Sequence, residues 1–242
     1  GRFYFGNNLV FLFFLRVVAT FDHIHFIFAN TFAFSFFAVF LSYTLAKNGG
    51  IVPVVGLILS GVIVSSIFSA CVSIVKYVSE DAQLREITFW MMGGLYYSKW
   101  QSLGEIASVT GVCFLALCTL AWKLNLLSLG DDQARSLGIN PEKYKLIFIT
   151  IATLMTAVCV ANVGIIAWIG LIMPHVTRLI SGPDNRWVLP LSGLIGALYL
   201  LVCDTLARTV AMAEIPVGII TSLVGAPFLI ALLRSKAKEL LK

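Results

Sequence analysis

Six long stretches of this chain contain no Asp, Glu, Lys or Arg: residues 26–46, 48–75, 106–122, 146–174, 187–203 and 215–233. A helix needs about 20 apolar residues to cross a bilayer, and most of these stretches reach or approach that length. Since 59% of the residues are hydrophobic and only 12% are charged, an ordinary soluble domain is excluded. The sequence therefore predicts an all-α, polytopic membrane protein, with residues 1–242 as one transmembrane domain and residues 3–20 as a partial span.

The longest of these stretches, residues 146–174, has room for two crossings. Glycines at positions 164 and 170 predict an ordinary helix followed by a broken return span, which Pro174 and the cation Arg178 would stop. Irregular backbone at membrane depth is tolerated only where it is buried in protein or lines a water-filled path. This stretch therefore favours transport over simple anchoring, and it brings the total to about eight spans.

Two polar segments between the spans predict short helices outside the membrane. Residues 76–105 combine charges with many aromatic side chains, which is typical of a helix at the membrane–water interface. Residues 131–138 can form a short amphipathic helix, closed by Gly138, of the kind that docks on a soluble partner.

If the spans alternate, eleven cations fall on the side of this helix and five on the other, which places it in the cytoplasm. The same bias explains the net charge of +5 without nucleic-acid binding.

Four parts of the chain, in order, resemble the FecCD-type membrane subunits of ATP-binding-cassette (ABC) importers for iron–siderophore, haem and cobalamin. These parts are Phe89-Trp-Met-Met-Gly-Gly94, Leu126 to Gly138, Gly164 to Arg178, and Asp204 to Arg208 together with Glu214 to Phe228. The resemblance implies a fold of roughly ten spans. Because this chain offers about eight and lacks the family's Asn-Pro-Leu-Ala motif, we expect that an N-terminal portion is missing.

The resemblance implies a multi-subunit importer in the inner membrane of a prokaryote. A second permease copy or a close paralogue would complete it, two cytoplasmic ATPase subunits would bind ATP and Mg²⁺, and an external binding protein would deliver the substrate. The chain has no Gly-x-x-x-x-Gly-Lys-Ser/Thr phosphate loop, so we expect neither enzyme activity nor a cofactor of its own. The expected cargo is a ferric siderophore, haem or cobalamin, with molybdate or tungstate as the alternative.

The resemblance also assigns roles to individual residues on both sides of the membrane. The ATPase-coupling helix would comprise Gly130, Asp131, Ala134, Arg135, Leu137 and Gly138. Leu137 would sit in a groove of the ATPase, with Asp131 and Arg135 at the rim. On the external side, Arg208 and Glu214 would contact the binding protein, although Arg208 could instead be an interfacial cation or pair with Glu214.

The helix that follows the turn at residues 47–50 is rich in small residues, which either pack helices closely or line a polar path. In the second case, the path and its inner gate would include Val52, Pro53, Val54, Val55, Ser60, Gly61 and Ser65.

The other motif residues are expected to form the framework around the path: Gly164, Gly170, Pro174, His175, Arg178, Pro216, Gly218, Gly225 and Pro227. His175 and Arg178 would satisfy backbone carbonyls, and Pro227 would interrupt and kink the last helix.

The five cysteines lie in apolar stretches, so we predict that their side chains are buried as small apolar groups and form no metal site. Two other classes are an ion-coupled secondary transporter, against which the nearly uncharged stretches argue, and a scaffold without transport, which would need neither the coupling helix nor the broken span.

Overall fold

The computed structural model describes residues 23–47, 52–96, 98, 100–210 and 215–240. Within these residues the regular structure consists of nine α-helices: α1 His23–Ala46, α2 Val54–Val78, α3 Asp81–Met91, α4 Trp100–Leu127, α5 Asp131–Ser136, α6 Pro141–Val163, α7 Ile169–Ser181, α8 Asn185–Thr209 and α9 Val217–Leu240. The all-α prediction is confirmed. The predicted partial span at residues 3–20 lies outside the described residues.

Seven of these helices coincide with predicted spans. In the described part of the chain, four are long and apolar enough to cross a membrane: Val54–Val78, Ser102–Leu127, Pro141–Val163 and Asn185–Thr209. Three shorter apolar helices coincide with the remaining predicted spans: Asn30–Ala46, Ile169–Ser181 and Val217–Ile230. The remaining two helices, α3 and α5, are the short polar helices predicted between spans.

The helices pack in a row that does not follow their order in the chain. Helix α1 packs between α2 and α6, α6 contacts α4, and α4 contacts α8. Helices α7 and α9 pack on α8 and on each other. Where α8 meets α9, Cys203, Ala207 and Val217 are buried together. Such short side chains allow helices within a membrane to approach closely.

Contacts between remote segments define the two ends of this bundle. At the first, which we call the α5 end, Asn125 near the end of α4 bonds to Asp184 just before α8. At the second, the opposite end, the Gly94 N–H donates to Val163 O at the end of α6. Helix α6 thus runs away from the α5 end and α7 returns toward it, so the chain reverses direction within residues 146–178, as the sequence predicts.

The break before the return span lies at Gly164, one of the two glycines that predict it, whereas Gly170 lies inside α7. The backbone leaves the helical conformation between α6 and α7, where Gly164 and Trp168 have φ angles of 69° and 74°. Helix α7 then continues through Pro174, so the predicted stop at that residue is wrong, and Pro227 likewise lies inside α9. A proline removes only one helical hydrogen bond, and packing against neighbouring helices makes that loss tolerable.

The prediction that the cysteines are buried is correct for part of the set. Cys113 and Cys203 are buried, and Cys118 and Cys159 are half-buried. Cys71 is exposed instead, because it lines an open cavity of about 1000 Å³ among α1, α2 and α3, with Phe34 and Trp90 on the other sides.

Candidate coupling and gating site

Helix α5 is bounded by two glycines whose backbone conformations other residues rarely adopt. Gly130 precedes it with a φ of 104°, and Gly138 follows it with a φ of 81°. The Ile139 N–H donates to Ala134 O at 3.0 Å, and the Gly138 N–H donates to Arg135 O at 2.9 Å. This pair of bonds is the Schellman closure that a glycine at this position permits. The predicted short helix is therefore present, with the predicted glycine at its end.

One side of α5 faces the bundle and the other faces outward. Ala134 is fully buried, at 0% exposure, whereas Leu137 is 57% exposed. Leu129, on the other flank of α5, is 52% exposed. Leu137 is thus presented at the end of α5, where another protein could cover it.

Two ion pairs fasten α5 to the first turns of α6. Asp131 Oδ2 lies 2.6 Å from Lys145 Nζ, and Arg135 pairs with Glu142. The first pair is the more buried, with the Lys145 and Asp131 side chains 12% and 29% exposed. Asp131 and Arg135 therefore pair with α6, while their side chains stay 29% and 46% exposed.

The candidate gate segment lies at the same end as α5. Val52 is fully buried, and its carbonyl oxygen accepts a hydrogen bond from Lys145 Nζ at 3.1 Å. Pro53 is the extended residue before α2, and Val54 and Val55 begin that helix with 60% and 67% of their side chains exposed. Sequence reasoning missed Lys145, because no local pattern marks a lysine whose partners lie 14 and 93 residues away.

The small residues of α2 have different environments. Ser60 is only 4% exposed and its hydroxyl donates to Leu57 O, so it belongs to the packed side of the helix and not to an open path. Gly61 has no atom within 4 Å of the position that a Cβ would take, and Ser65 is exposed. Gly61 and Ser65 therefore remain candidates for a path, whereas Ser60 does not.

A second polar cluster at the α5 end, which sequence reasoning also missed, joins α4 to the segment between α7 and α8. Asn125 Nδ2 donates to Asp184 Oδ1 at 2.6 Å, while Asn125 Oδ1 accepts from the backbone N–H and side-chain amide of Asn185, both at 2.8 Å. Arg178 donates to Asn185 Oδ1 at 3.4 Å, so its partner is a side-chain amide and not the predicted backbone carbonyl. An aspartate directly before an apolar helix is the signal that could have located this cluster.

The carboxylate of this cluster is stabilised in its charged form. Hydrogen bonds from the Arg186 N–H and from Asn125 hold the pKa of Asp184 below its ordinary value. Because the pKa is lower in the folded state, the stability that Asp184 contributes is present at neutral pH. It is lost as the pH falls through the lowered pKa.

Replacement of Asn125 by Ala is expected to lower the free energy of unfolding by about 1–3 kcal/mol, because the buried Asn185 amide loses its partner. Thermal unfolding of the full-length protein in detergent measures this change. Asn162→Ala is the matched control, since Asn162 donates to Val158 O within its own helix. Equal melting temperatures for the two variants would contradict the bridging role of Asn125.

At the opposite end, three segments cross with their backbones in contact. A Cβ atom on Gly218, Gly164 or Gly93 would lie 2.0, 2.2 or 2.3 Å, respectively, from a backbone oxygen of another segment. These three residues, which we call the glycine junction, join the start of α9 to the ends of α6 and α3. Pro216 is buried just before α9. Three motifs that are far apart in the sequence therefore meet in space.

The remaining framework residues lie where α7 faces α9. A cavity of about 440 Å³ is lined by Gly170, Leu171, Ile172, Pro174, His175, Arg178, Phe228 and Leu229. Gly225 packs against Trp168, whose Cβ lies 2.7 Å from the position of a Cβ on Gly225. Pro227 lines a second cavity, of about 670 Å³, beside the glycine junction.

Arg208 lies in the last turn of α8, away from the α5 end. Its Nε atom is 2.8 Å from Asp204 Oδ2, and its side chain is 45% exposed. A local ion pair therefore exists, and the guanidinium still reaches the surface. Glu214, the second predicted docking residue, lies outside the described residues.

A comparison with known protein families shows to which family this chain belongs. The profile of the FecCD transport family matches residues 4–235, which is nearly the whole sequence. The chain belongs to the FecCD transport family. The resemblance inferred from the four motif-bearing parts is thereby confirmed, and α5 and the glycine junction are elements of a FecCD chain.

Two relatives and one solved structure are similar to this FecCD chain. The cobalamin import system permease protein BtuC of Halobacterium salinarum is 38% identical over 205 residues, which are 85% of this chain and 55% of the relative. The hemin transport system permease protein HmuU of Yersinia pestis is 40% identical over 185 residues, 76% of this chain and 55% of the relative. A structure assigned to a metal-chelate type ABC transporter, in an inward-facing conformation, gives a TM-score of 0.82 at 35% identity and covers 91% of this chain and 70% of that one.

The FecCD chain spans about half the length of the curated relatives that it matches. Its helix arrangement is nevertheless that of an ABC transporter permease, because the structural match extends over 91% of its residues. The chain is therefore an integral membrane protein of this fold.

Proposed function

We propose that this FecCD chain is part of the membrane-spanning permease subunit of an ABC importer, which brings a metal chelate through the inner membrane of a prokaryote into the cytoplasm. The observation that carries the proposal is the position of α5. Its exposed Leu137 lies at the same end of the bundle as the candidate gate at residues 52–55. A partner that moves α5 would therefore act close to the segment that opens the path.

The energy would come from ATP that other subunits hydrolyse. Two cytoplasmic ATPase subunits would each receive an α5 helix, one from this chain and one from a second permease copy or a close paralogue. An external binding protein would deliver the substrate at the opposite end, near Arg208. The cofactors ATP and Mg²⁺ would then be bound entirely by the ATPase.

Two relatives support a chelate as the cargo, since their names specify cobalamin and hemin. Among the described residues, no group of three or more His, Cys, Asp or Glu side chains is arranged to hold a bare metal ion. A ferric siderophore, haem or cobalamin, in which the metal already has its ligands, fits such a path. Molybdate or tungstate import by the same fold is the second candidate.

An ion-coupled secondary transporter is a less suitable interpretation. Such a protein carries ionisable side chains at mid-membrane, where they bind the coupling ion. In the four long apolar helices that the structure describes, the Asp, Glu, Lys and Arg residues lie in the first two or last two turns. This distribution favours energy input from a partner at the α5 end.

The proposal is tested by extracting the full-length protein in mild detergent and identifying the proteins that co-purify with it. We expect a stoichiometric ATPase subunit that dissociates when Leu137 is replaced by Asp. Recovery of the intact permease without any ATPase, under conditions in which known ABC importers stay assembled, would contradict the proposal.

Charge reversal at Arg208 tests the external side of the proposal. We expect Arg208→Glu to weaken binding of the external binding protein roughly tenfold at low salt, because an attractive charge becomes repulsive. Arg85→Glu, which reverses an exposed charge on α3, is the control and should have a smaller effect. Surface plasmon resonance at two salt concentrations measures both, and the difference should shrink at high salt. If Arg208→Glu binds the external binding protein as tightly as the wild type does at both salt concentrations, docking at Arg208 is contradicted.

A further inference from the structure

One side chain joins the ATPase-facing helix to the candidate gate. The ammonium of Lys145 lies 2.6 Å from Asp131 Oδ2, in the first turn of α5, and 3.1 Å from the carbonyl oxygen of Val52, next to the start of α2. The three residues come from three different segments, and Asp131 and Val52 lie 14 and 93 residues before Lys145. A displacement of either partner must therefore change the contacts of the same ammonium.

The burial of this contact makes it sensitive to small movements. The Lys145 side chain is 12% exposed and Val52 is fully buried, so water has little access to the ammonium and to the carbonyl. A part-buried cation that loses its carboxylate is poorly solvated in place, so its remaining hydrogen bonds are expected to rearrange. A shift of α5 by about 1 Å is enough to break a bond of this length.

The second ion pair between α5 and α6 lacks these properties. The Arg135 and Glu142 side chains are 46% and 21% exposed. Both belong to the short segment from α5 to the first turn of α6, so this pair has no hydrogen bond to the gate. The two ion pairs are thus matched in chemistry and differ in whether they reach α2.

We propose that Lys145 is a positioning residue that transmits the movement of α5 to the gate segment at residues 52–55. The inference rests on the proposed function, because it requires an ATPase that moves α5. In one position of α5, Asp131 holds the ammonium where it anchors the Val52 carbonyl. In the other position, the ammonium leaves that carbonyl and the start of α2 is released. Such a contact with two arrangements is what coupling between separate sites requires.

The test uses the full-length permease with its ATPase and its binding protein in proteoliposomes. The readout is the amount of substrate taken up per ATP hydrolysed, which a merely structural role would leave unchanged. We expect Lys145→Met to lower this ratio roughly tenfold, within the range typical of coupling between sites, while hydrolysis continues. Lys145→Arg should restore most of it, and Glu142→Gln, which weakens the second ion pair from the α6 side, should leave it near the wild-type value.

A second readout follows the gate itself. Val54→Cys, in a background with the exposed Cys71 replaced by Ser, is labelled with a water-soluble maleimide with and without ATP. We expect ATP to change the labelling rate when Lys145 is present and to have no effect in Lys145→Met. If Lys145→Met cannot be recovered folded, Asp131→Asn serves in both measurements, because it removes the charge and preserves the shape.

The outcomes separate the two proposals. A wild-type ratio and an ATP-dependent labelling change in Lys145→Met, or in Asp131→Asn where that variant replaces it, would overturn the role of Lys145 and leave the proposed function intact. If the wild-type protein itself shows no ATPase-dependent uptake or labelling change, the proposed function fails and the inference fails with it.

Discussion

Gly218→Ala is expected to destabilise the folded protein strongly. A Cβ atom at this position would lie 2.0 Å from the Met92 carbonyl oxygen, which belongs to the backbone and cannot move aside as a flexible side chain could. Separating the start of α9 from the end of α3 would also disturb the 3.4 Å hydrogen bond from the Gly218 N–H to Gly93 O. We expect a loss of about 3 kcal/mol or more, which is a large part of the stability of a typical domain.

Size-exclusion chromatography and thermal unfolding of the full-length protein in detergent measure this effect. Gly111→Ala in α4 is the matched control, because no atom lies within 4 Å of the Cβ position there. Gly164→Ala should behave like Gly218→Ala, since its Cβ would lie 2.2 Å from Trp90 O and its φ is +69°. A monodisperse Gly218→Ala protein that melts at the same temperature as Gly111→Ala would contradict the claim that the glycine junction has no room for a side chain.

Leu137→Asp is expected to disconnect the permease from ATP hydrolysis while its membrane insertion remains normal. Leu137 is 57% exposed, so its replacement disturbs no packing within the described bundle. In the proposed complex, the new carboxylate would instead be buried in an apolar groove of the ATPase, at a cost of several kcal/mol. We therefore expect uptake to fall at least about a hundredfold, which corresponds to less than 3 kcal/mol of lost interaction.

Uptake and ATP hydrolysis measured in the same proteoliposomes test this expectation. Leu137→Met keeps an apolar side chain of similar volume and should retain most of the uptake. Leu129→Asp places the same charge on the other flank of α5, at a site of similar exposure (52%), and should have a smaller effect. If Leu137→Asp transports as the wild type does, Leu137 is not the contact through which the ATPase acts.

The sequence predicts most of the helices, because charge-free stretches of membrane length have few alternatives to a helix. The position of the break before α7 was harder to predict. Pro174 is the stronger helix breaker in the sequence, yet the chain bends at Gly164, where another backbone passes too closely for any side chain. That crowding comes from α3, so the two glycines indicate a break in this stretch but not the backbone contact that fixes it at Gly164.

In the candidate site, too, the local features could be predicted from the sequence, whereas the contacts between remote segments could not. The glycines around α5 and the exposure of Leu137 could be inferred from a local motif, because capping and amphipathicity act over a few residues. The link from Asp131 through Lys145 to Val52 could not, since it depends on how α1, α2 and α6 pack. Ser60 shows the converse error, because a small polar residue in an apolar helix satisfies its hydroxyl on its own backbone as readily as it lines a path.

The most direct test of the account is ATP-dependent uptake by the full-length protein, reconstituted with its ATPase and its binding protein. Vesicles loaded with ATP and given a radiolabelled metal chelate should accumulate it, and omission of either the ATPase or ATP should abolish accumulation. Accumulation that persists without ATP and follows an ion gradient, or no accumulation with all partners present and the ATPase active, would contradict the assignment as an ABC importer permease.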